Sequence, residues 1–302
     1  MENPKLFTGM GTALVTPFTA DGDEIDEPAL RNLIDRQIAG GADALIVLGT
    51  TGENPTVTDE ERRRIVEGSV EAADGRVPVV IGTGTNSTRE SARFSREAAR
   101  AGADGLLVVG PYYNKPTQAG FRAHVAAIAD ATDCPQIIYN VPGRTSFNVT
   151  AETMLQLAEE VPSVVGSKEA SGDLEQISDI LAHRPDDLAV YAGDDEITLP
   201  LLALGGDGVV SVIGNALPNA FSTMVSTALD GGFDEAHALH FRMLEAMRAC
   251  FYETNPIPVK TVLAEAGFLE EQFRLPIASI SDEQRERVLE AFAGFEELDT
   301  RG

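Results

Sequence analysis

The chain contains 302 residues, of which 43% are hydrophobic, and it carries a formal net charge of −25. This length and hydrophobic content are typical of one large core, so we expect a single domain, 1–302. The acidic excess repels polyanions and excludes nucleic acid as a partner, and the lack of an apolar run of 18 residues predicts no membrane partner.

Eight short apolar runs rich in Val, Ile and Leu alternate with amphipathic stretches of helical spacing. The runs show little in-and-out alternation, which is typical of strands in a parallel sheet covered on both faces. Eight repeats of strand and helix favour an α/β fold of the (β/α)8 TIM-barrel type. An open doubly wound sheet is the alternative, although its GxGxxG turn after the first strand is missing. The runs are residues 13–18, 44–48, 77–81, 105–109, 136–140, 164–168, 189–192 and 208–213.

Several helix ends can be recognised from short motifs. The segments 58–61 (TDEE) and 87–90 (STRE) have the form of a capping box, which predicts two helix starts. Helix ends are predicted at Gly40-Gly41, Asp74-Gly75 and Ala101-Gly102, where glycine can adopt the left-handed conformation that stops a helix.

After residue 217 the pattern changes to consecutive helices, including residues 220–229, 234–251 and 282–295. No linker long enough to separate an independent domain interrupts them. We therefore divide the single domain into a (β/α)8 barrel, 1–225, and a C-terminal helical extension, 226–302, that packs on the barrel.

Polar residues occur where the predicted strands end. In a parallel barrel these strand ends and the loops after them form one face, so their side chains converge. The set lacks the spacing of metal ligands, because the four histidines at 124, 183, 237 and 240 all fall in predicted helices. We expect a site without metal or organic cofactor, built from Thr16, residues 49–53, 111–114 and 139–144, Lys168-Glu169, residues 193–195 and Ser211.

Lys168 is the most informative of these residues, because it ends an apolar strand in a chain with only four lysines. Burial disfavours an ammonium and lowers its pKa, and a neutral amine is the nucleophile that attacks a ketone to form a Schiff base. The alternative is a structural lysine paired with Glu169, which on this strand points to the opposite side. We favour the nucleophile, since charged residues are rarely placed in a strand core without a role.

Three further residues offer hydroxyl groups near this amine. Tyr139 ends the strand before Lys168, so its phenol is placed to carry protons. Thr50 and Thr51 lie between glycines, so their hydroxyl groups and a closely approaching backbone can relay protons or bind a small carboxylate. A tight turn explains the Gly-Thr-Thr-Gly sequence equally well.

Two loops add residues whose role the pattern alone leaves open. Arg144 follows Pro-Gly in a predicted loop, where it either binds a second carboxylate in bidentate fashion or is an ordinary surface arginine. Tyr112 and Tyr113 lie in a predicted exposed loop, as packing residues or as interface residues.

In combination, these motifs resemble the dihydrodipicolinate synthase family. The matching segments are GTTGE at 49–53, PYYNKP at 111–116, YNVPGRT at 139–145, GSKEA at 166–170 and GVVSV at 208–212. The likeness runs from GTALVTPF at 11–18 to NPIPVK at 255–260 and RLP at 274–276, so it covers nearly the whole chain. It implies a TIM-barrel lyase of the pyruvate-dependent class I aldolase superfamily, which includes N-acetylneuraminate lyase.

The resemblance implies catalytic roles for four residues. Lys168 forms the imine with pyruvate, and Tyr139 shuttles protons. Thr50 links Tyr139 to Tyr113, which in this family reaches into the site from a neighbouring subunit. Family members are commonly homotetramers, built as a dimer of dimers.

The resemblance also implies how the substrates bind. The pyruvate carboxylate rests on Thr50 and Thr51, while Gly193 and the backbone carbonyl of Val210 line the pocket. Arg144 binds the carboxylate of the second substrate, L-aspartate 4-semialdehyde. The product is 4-hydroxytetrahydrodipicolinate, at the entry to diaminopimelate and lysine synthesis.

Part of an allosteric pocket is matched as well. Asn86, Glu90 and Tyr112 correspond to residues of the site at which lysine inhibits some members of the family. Enzymes inhibited by lysine often carry histidines in the helix after the GTTGE motif, whereas residues 58–62 here are TDEER. This departure puts feedback inhibition in doubt.

Two other functions compete with this interpretation. An aldolase of the same superfamily cleaves a 2-keto-3-deoxy sugar acid or N-acetylneuraminate through the same imine, but Arg144 in the YNVPGR context disfavours it. A barrel that binds a metabolite or a partner without catalysis is the other alternative, and it predicts no covalent adduct with pyruvate.

Composition also predicts the surroundings of the protein. The N-terminal sequence lacks the basic region and cleavage site of a signal peptide, and two cysteines, Cys134 and Cys250, are too few for a disulfide framework. We therefore expect a cytoplasmic location. Acidic excess with scarce lysine resembles proteins of salt-in halophiles, in which concentrated salt screens carboxylate repulsion, although an acidic mesophilic protein is the alternative.

Overall fold

Eight parallel strands form a closed barrel, in which each strand pairs with the next and the last pairs with the first. The computed structural model describes residues 5–298. The TIM-barrel fold predicted from the sequence is confirmed. The strands are β1 (Gly9–Ala13), β2 (Ala44–Val47), β3 (Val79–Gly82), β4 (Gly105–Val109), β5 (Gln136–Asn140), β6 (Val164–Glu169), β7 (Ala189–Ala192) and β8 (Gly208–Ser211).

Helices cover the outside of this barrel and continue after its last strand. The helices are α1 (Glu27–Ala39), α2 (Asp59–Ala73), α3 (Thr88–Arg100), α4 (Gln118–Ala129), α5 (Pro142–Thr145), α6 (Ala151–Glu160), α7 (Leu174–His183), α8 (Thr198–Ala203), α9 (Pro218–Leu229), α10 (Phe233–Ala249), α11 (Ile257–Glu265) and α12 (Asp282–Ala291). Short 3-10 helices lie at Asn54–Thr56, Ile213–Asn215 and Glu296–Leu298. No helix of the part of the chain that the structure describes is long and apolar enough to cross a membrane.

The first strand was predicted at residues 13–18, and this position is wrong. The observed strand begins four residues earlier and ends five residues earlier. The observed strand β1 contains Gly9 and Gly11, which weaken a strand signal in the sequence. A Cβ at Gly11 would lie 2.9 Å from the Phe7 ring, so the glycine is required by close packing. The apolar residues after Ala13 continue as extended chain, and Leu14 N still donates to Ile46 O at 3.0 Å.

The predicted capping motifs are confirmed in one helix and half confirmed in another. At the start of α2, the Thr58 hydroxyl accepts from Glu61 N, and the Glu61 carboxylate accepts from Thr58 N at 2.9 Å. At the start of α3, the Ser87 hydroxyl accepts from Glu90 N, but the Glu90 carboxylate turns to Arg93 instead. The ion pair with Arg93 therefore replaces the second hydrogen bond of the capping box.

The three C-terminal helices predicted from the helical pattern begin within two residues of their predicted starts, but α11 was not predicted. Every residue from Ile257 to Leu263 is buried, so the helix lacks the polar face that makes helical periodicity visible. The boundary between barrel and extension, set at 225/226, stays a prediction; those two residues lie inside α9.

The barrel is filled with side chains at its N-terminal end. Phe7 stacks on Tyr191 with ring centroids 4.2 Å apart, and the Tyr191 hydroxyl donates to Phe7 O at 2.7 Å. Both side chains belong to an apolar cluster inside the barrel that also includes Tyr139. Space for a ligand inside the barrel therefore lies toward the C-terminal ends of the strands.

Candidate active site

Lys168 and Tyr139 lie side by side inside the barrel. They are register partners on β6 and β5, and Lys168 Nζ is 4.2 Å from the centroid of the Tyr139 ring. Each residue is 5% exposed. The two groups that the sequence placed together are thus neighbours, away from bulk water.

The environment of Lys168 favours its neutral form. The pKa of its amine is lowered to about 7, mainly by burial. The negative charges of Asp195 and Asp194 oppose the change, and the positive charge of Arg144 adds to it. Among residues 5–298, no side chain or carbonyl accepts a hydrogen bond from Lys168 Nζ. An amine with this pKa has a large neutral fraction at neutral pH and can act as a nucleophile.

Glu169 does not pair with Lys168, because successive residues of a strand point to opposite sides. Its carboxylate accepts from Ser167 at 2.8 Å and Asn140 at 3.1 Å, and also from Gln176. Burial raises the pKa of this carboxyl, and the hydrogen bonds oppose that rise. The structural alternative of a Lys168–Glu169 ion pair is therefore wrong.

Tyr139 is held as a neutral phenol with a polar partner. Burial raises its pKa, while the Arg144 charge and a hydrogen bond with the Thr50 side chain lower it. The Thr50 contact was predicted from the family resemblance. A phenol with these neighbours can accept and return a proton at the adjacent amine.

A cavity of about 130 Å³ joins these groups at the C-terminal end of the barrel. It merges with a larger cleft of about 510 Å³, with which it shares Thr50, Tyr139, Arg144 and Asn255. Val212 lines the cavity just after β8, and the Val210 side chain packs in the apolar cluster inside the barrel. The role predicted for the backbone carbonyl of Val210 stays a prediction. The other predicted residues that line the cavity are Thr51, Lys168 and Gly193.

Arg144 lies in the one-turn helix α5, not in the loop that the sequence predicted. Pro142 begins this turn and Ser146 ends it in the left-handed conformation, with φ of 54°. The Thr145 hydroxyl donates to Phe147 O at 2.9 Å and so ties the turn to the following chain. Arg144 itself is exposed, lines both the cavity and the cleft, and is free to contact an anion.

Tyr113 points away from the cavity of its own chain. Its side chain is 92% exposed, and its φ of 70° places it in the left-handed region. A strained, exposed aromatic residue is unusual in a loop and is common where a second chain packs.

The three residues matched to an allosteric pocket make different contacts in the structure. Tyr112 lines the larger cleft, whereas the Glu90 carboxylate is bonded to Arg93 at 2.8 Å. The backbone carbonyl of Asn86 accepts from Asn114 at 2.9 Å. Arg62 is 7% exposed and stacks on Phe94 with its guanidinium 4.0 Å from the ring, so this wall of the cleft carries a cation.

Two residues of the site carried no assigned role in the sequence analysis. Asp195 is 1% exposed and accepts from the backbone N–H groups of Val212 and Ile213 at 3.1 and 2.8 Å. Burial raises its pKa to about 6. Asn255 is 4% exposed and donates to Thr51 Oγ1 at 2.9 Å. In the sequence, the polar run at 193–195 contains Asp195, and the NPIPVK motif at 255–260 begins with Asn255. These two segments were the features from which the residues could have been found.

The sequence of the chain is similar to a known protein family over nearly its whole length. A model described as the dihydrodipicolinate synthetase family matches residues 6–293. A 4-hydroxy-tetrahydrodipicolinate synthase of Salinibacter ruber is 63% identical over 294 residues, which cover 97% of each chain. The enzyme of the same name from Thermomicrobium roseum is 48% identical and covers 95% of this chain and 94% of its own.

Solved structures of dihydrodipicolinate synthases are also similar to this chain. A dihydrodipicolinate synthase from Thermotoga maritima has a TM-score of 0.93 and 41% identity, covering 95% of this chain and 98% of its own. A protein from Cyanidioschyzon merolae, described with lysine bound, has the same TM-score, identity and coverage. Similarity at this level extends over the entire barrel and the helices after it.

Proposed function

The chain belongs to the dihydrodipicolinate synthetase family, and from that premise we propose that it condenses pyruvate with L-aspartate 4-semialdehyde, as a 4-hydroxy-tetrahydrodipicolinate synthase. It is a pyruvate-dependent lyase. One observation carries the mechanism: the amine of Lys168 is buried beside the phenol of Tyr139, and burial lowers its pKa to about 7.

The first half of the reaction forms an imine. The neutral Lys168 Nζ attacks C2 of pyruvate, and Tyr139 supplies the proton with which the resulting carbinolamine loses water. This step leaves a protonated imine and a Tyr139 phenolate, which is hydrogen-bonded to the Thr50 side chain. The pyruvate carboxylate rests on Thr50 and Thr51, and Gly193 and the Val210 carbonyl complete its surroundings. Transfer of a proton from C3 to the phenolate then gives an enamine and restores Tyr139 as a phenol.

The second half joins the two substrates. The enamine carbon attacks the aldehyde carbon of L-aspartate 4-semialdehyde, whose carboxylate is bound by Arg144. The amino group of that substrate displaces Lys168 from the imine, which closes the ring of 4-hydroxytetrahydrodipicolinate and frees the enzyme. Arg144 supports this role because it is exposed at the mouth of the cavity that Lys168 lines.

Borohydride trapping tests the nucleophile. Incubation with pyruvate and borohydride should add one reduced pyruvyl group, and mass spectrometry of the peptides should locate it on Lys168. An adduct at another residue, or none, contradicts the mechanism. Lys115, an exposed lysine, serves as the internal control and should remain unmodified.

A second assay tests the aldehyde. Pyruvate consumption should occur with L-aspartate 4-semialdehyde and not with glyceraldehyde. Turnover with glyceraldehyde alone would instead identify a sugar-acid aldolase that uses the same imine. Because the imine forms before the aldehyde binds, an adduct on Lys168 without turnover of L-aspartate 4-semialdehyde contradicts only the choice of aldehyde.

We also propose that the protein acts in the cytoplasm as a homotetramer, in which Tyr113 enters the site of a neighbouring subunit. Its exposure and left-handed backbone in a single chain support a contact with a second chain. Replacement of Tyr113 by Phe should lower kcat, and mixing it with an inactive Lys168→Met protein should restore activity if the two residues act across subunits.

The net charge of −25 supports a requirement for concentrated salt. At low ionic strength the carboxylates repel one another over longer distances, which destabilises the compact state. The melting temperature should therefore rise as NaCl or KCl is increased from 0.1 to 2 M. An unchanged melting temperature would count against this proposal.

A further inference from the structure

The segment 255–260 contacts the pocket loop at two points. Asn255 Nδ2 donates to Thr51 Oγ1 at 2.9 Å, and Lys260 Nζ donates to Glu53 at 2.6 Å. Asn255 lies two residues before the start of α11, which begins with Ile257 and contains Lys260. A helix outside the barrel therefore holds the stretch 51–53 beside the cavity.

The bond from Asn255 decides where Thr51 can direct its own proton. A hydroxyl group has one O–H donor and two acceptor lone pairs. The Asn255 amide occupies one lone pair of Thr51, and among residues 5–298 no acceptor is found for the Thr51 O–H. Thr51 is 2% exposed, so bulk water is not an alternative partner. The proton is left for a group inside the cavity that both residues line.

We propose that Asn255 is a positioning residue, which by donating to Thr51 directs the Thr51 hydroxyl proton at the carboxylate of the keto acid. This inference rests on the proposed function, in which that carboxylate lies on Thr50 and Thr51. A hydrogen bond to a carboxylate is stronger than one between neutral groups. The fixed direction of the hydroxyl also removes the cost of ordering it when the substrate binds.

The anchoring of Asn255 supports this role. Lys260 in the same segment is fully buried and donates to Thr16 O, Glu53 and Gln272 O at 3.0, 2.6 and 2.6 Å. The Asn255 Oδ1 atom is buried without a hydrogen-bond partner among the described residues. Among the described residues, the bond to Thr51 is therefore the one hydrogen bond of the Asn255 side chain, and the start of α11 two residues later fixes its backbone.

The first test replaces Asn255 with Leu, which has a similar volume but no N–H. The pyruvate concentration that gives half-maximal borohydride trapping should rise about 2- to 12-fold, the effect of losing one hydrogen bond between neutral groups. The maximal trapping rate should change by less than about threefold, because Lys168 and Tyr139 are untouched. A fall in the maximal rate with an unchanged half-saturating concentration would contradict the proposal.

A double-mutant cycle asks whether Asn255 acts through Thr51. Thr51→Val should raise the half-saturating pyruvate concentration at least as much as Asn255→Leu does, and the double variant Thr51→Val/Asn255→Leu should be no worse than Thr51→Val alone. If the two effects multiply instead, Asn255 acts independently of Thr51 and the inference is wrong.

Asn255→Asp provides a second variant of the same size, in case the Leu variant does not fold. A carboxylate at this position accepts from Thr51 and turns its proton away from the cavity, so pyruvate binding should weaken at pH 8. As the pH is lowered and the introduced carboxyl is protonated, it can donate again, and the ratio of half-saturating concentrations between variant and wild type should fall toward one. A ratio of one at every pH would overturn the proposal.

Borohydride trapping of the wild-type protein distinguishes a failure of the proposed function from a failure of the positioning role of Asn255. If wild type yields no adduct on Lys168, the proposed function fails. If wild type yields the adduct and the variants at 255 keep the wild-type half-saturating concentration, only the positioning role fails.

Discussion

Lys168 and Lys260 are both buried, yet their surroundings differ in every polar contact. Lys168 is 5% exposed and has a tyrosine ring beside it but no hydrogen-bond acceptor among the described residues. Lys260 is completely buried and donates to a carboxylate and two carbonyl oxygens. Burial lowers the pKa of both amines, but only Lys260 has a carboxylate in direct contact that opposes the change. We therefore expect the Lys168 amine to be reactive because it lacks hydrogen-bond acceptors, and not only because it is buried.

The largest expected effect comes from removing the reactive amine. Lys168→Met should lower pyruvate consumption by about 10⁴-fold or more, since no other amine lines the cavity in the described ranges. The melting temperature should stay level or rise, because an ammonium without partners no longer has to be buried. Lys115→Met, at an exposed position, is the matched control and should keep wild-type activity.

Removing the paired amine should instead destabilise the protein. Lys260→Met leaves the Glu53 carboxylate, which is 1% exposed, without its cation, and this should cost about 3–5 kcal/mol of unfolding free energy. The double variant Glu53→Gln/Lys260→Met removes both charges and should recover much of that loss. Urea unfolding measures the free energy of unfolding of both variants and of wild type. Equal stability of Lys260→Met and wild type would remove the contrast between the two lysines.

The pH dependence of trapping should show the lowered pKa directly. Because the pKa of Lys168 is about 7, the trapping rate should rise about tenfold per pH unit below 7 and level off above it. The stability follows the same direction: the unfolded lysine binds a proton up to about pH 10.5, so the unfolding free energy of wild type relative to Lys168→Met should rise between pH 7 and 10.5. A trapping rate that still rises steeply at pH 9 would place the pKa near its ordinary value.

The smallest expected effect concerns salt. The coupling energy between Lys260 and Glu53, from a double-mutant cycle, should change little between 0.15 and 2 M salt, because a buried pair is poorly screened. The exposed pair Arg31–Glu71, at 51% and 73% side-chain exposure, should contribute less than about 1 kcal/mol and lose it in salt. Equal salt dependence of both couplings would mean that solvent reaches the buried pair.

The sequence predicts the barrel and the pair Lys168–Tyr139 for one physical reason. Alternating strands and helices admit few architectures, and adjacent parallel strands place their end residues side by side. The first strand was misplaced because its glycines are required by packing against Phe7, which is not a local property. Arg144 was assigned to a loop because Pro-Gly is typical of turns, whereas here proline begins a short helix.

The support of the pocket loop could not be predicted in the same way. The bonds from Asn255 to Thr51 and from Lys260 to Glu53 join residues 204 and 207 positions apart. No periodicity relates such distant residues, and the rules for a barrel do not place the helices that follow it. The scarcity of lysine drew attention to Lys168, but the same argument applies to Lys260 and cannot distinguish a nucleophile from a structural cation.

These long-range bonds have a consequence during synthesis on the ribosome. All eight strands end by Ser211, so the barrel sheet can close while the segment carrying Asn255 and Lys260 is still being translated. Until that segment emerges, Glu53 lacks its cation and Thr51 lacks its amide partner. A nascent chain arrested near residue 250 should therefore contain the barrel and the reactive lysine, but it should capture pyruvate poorly.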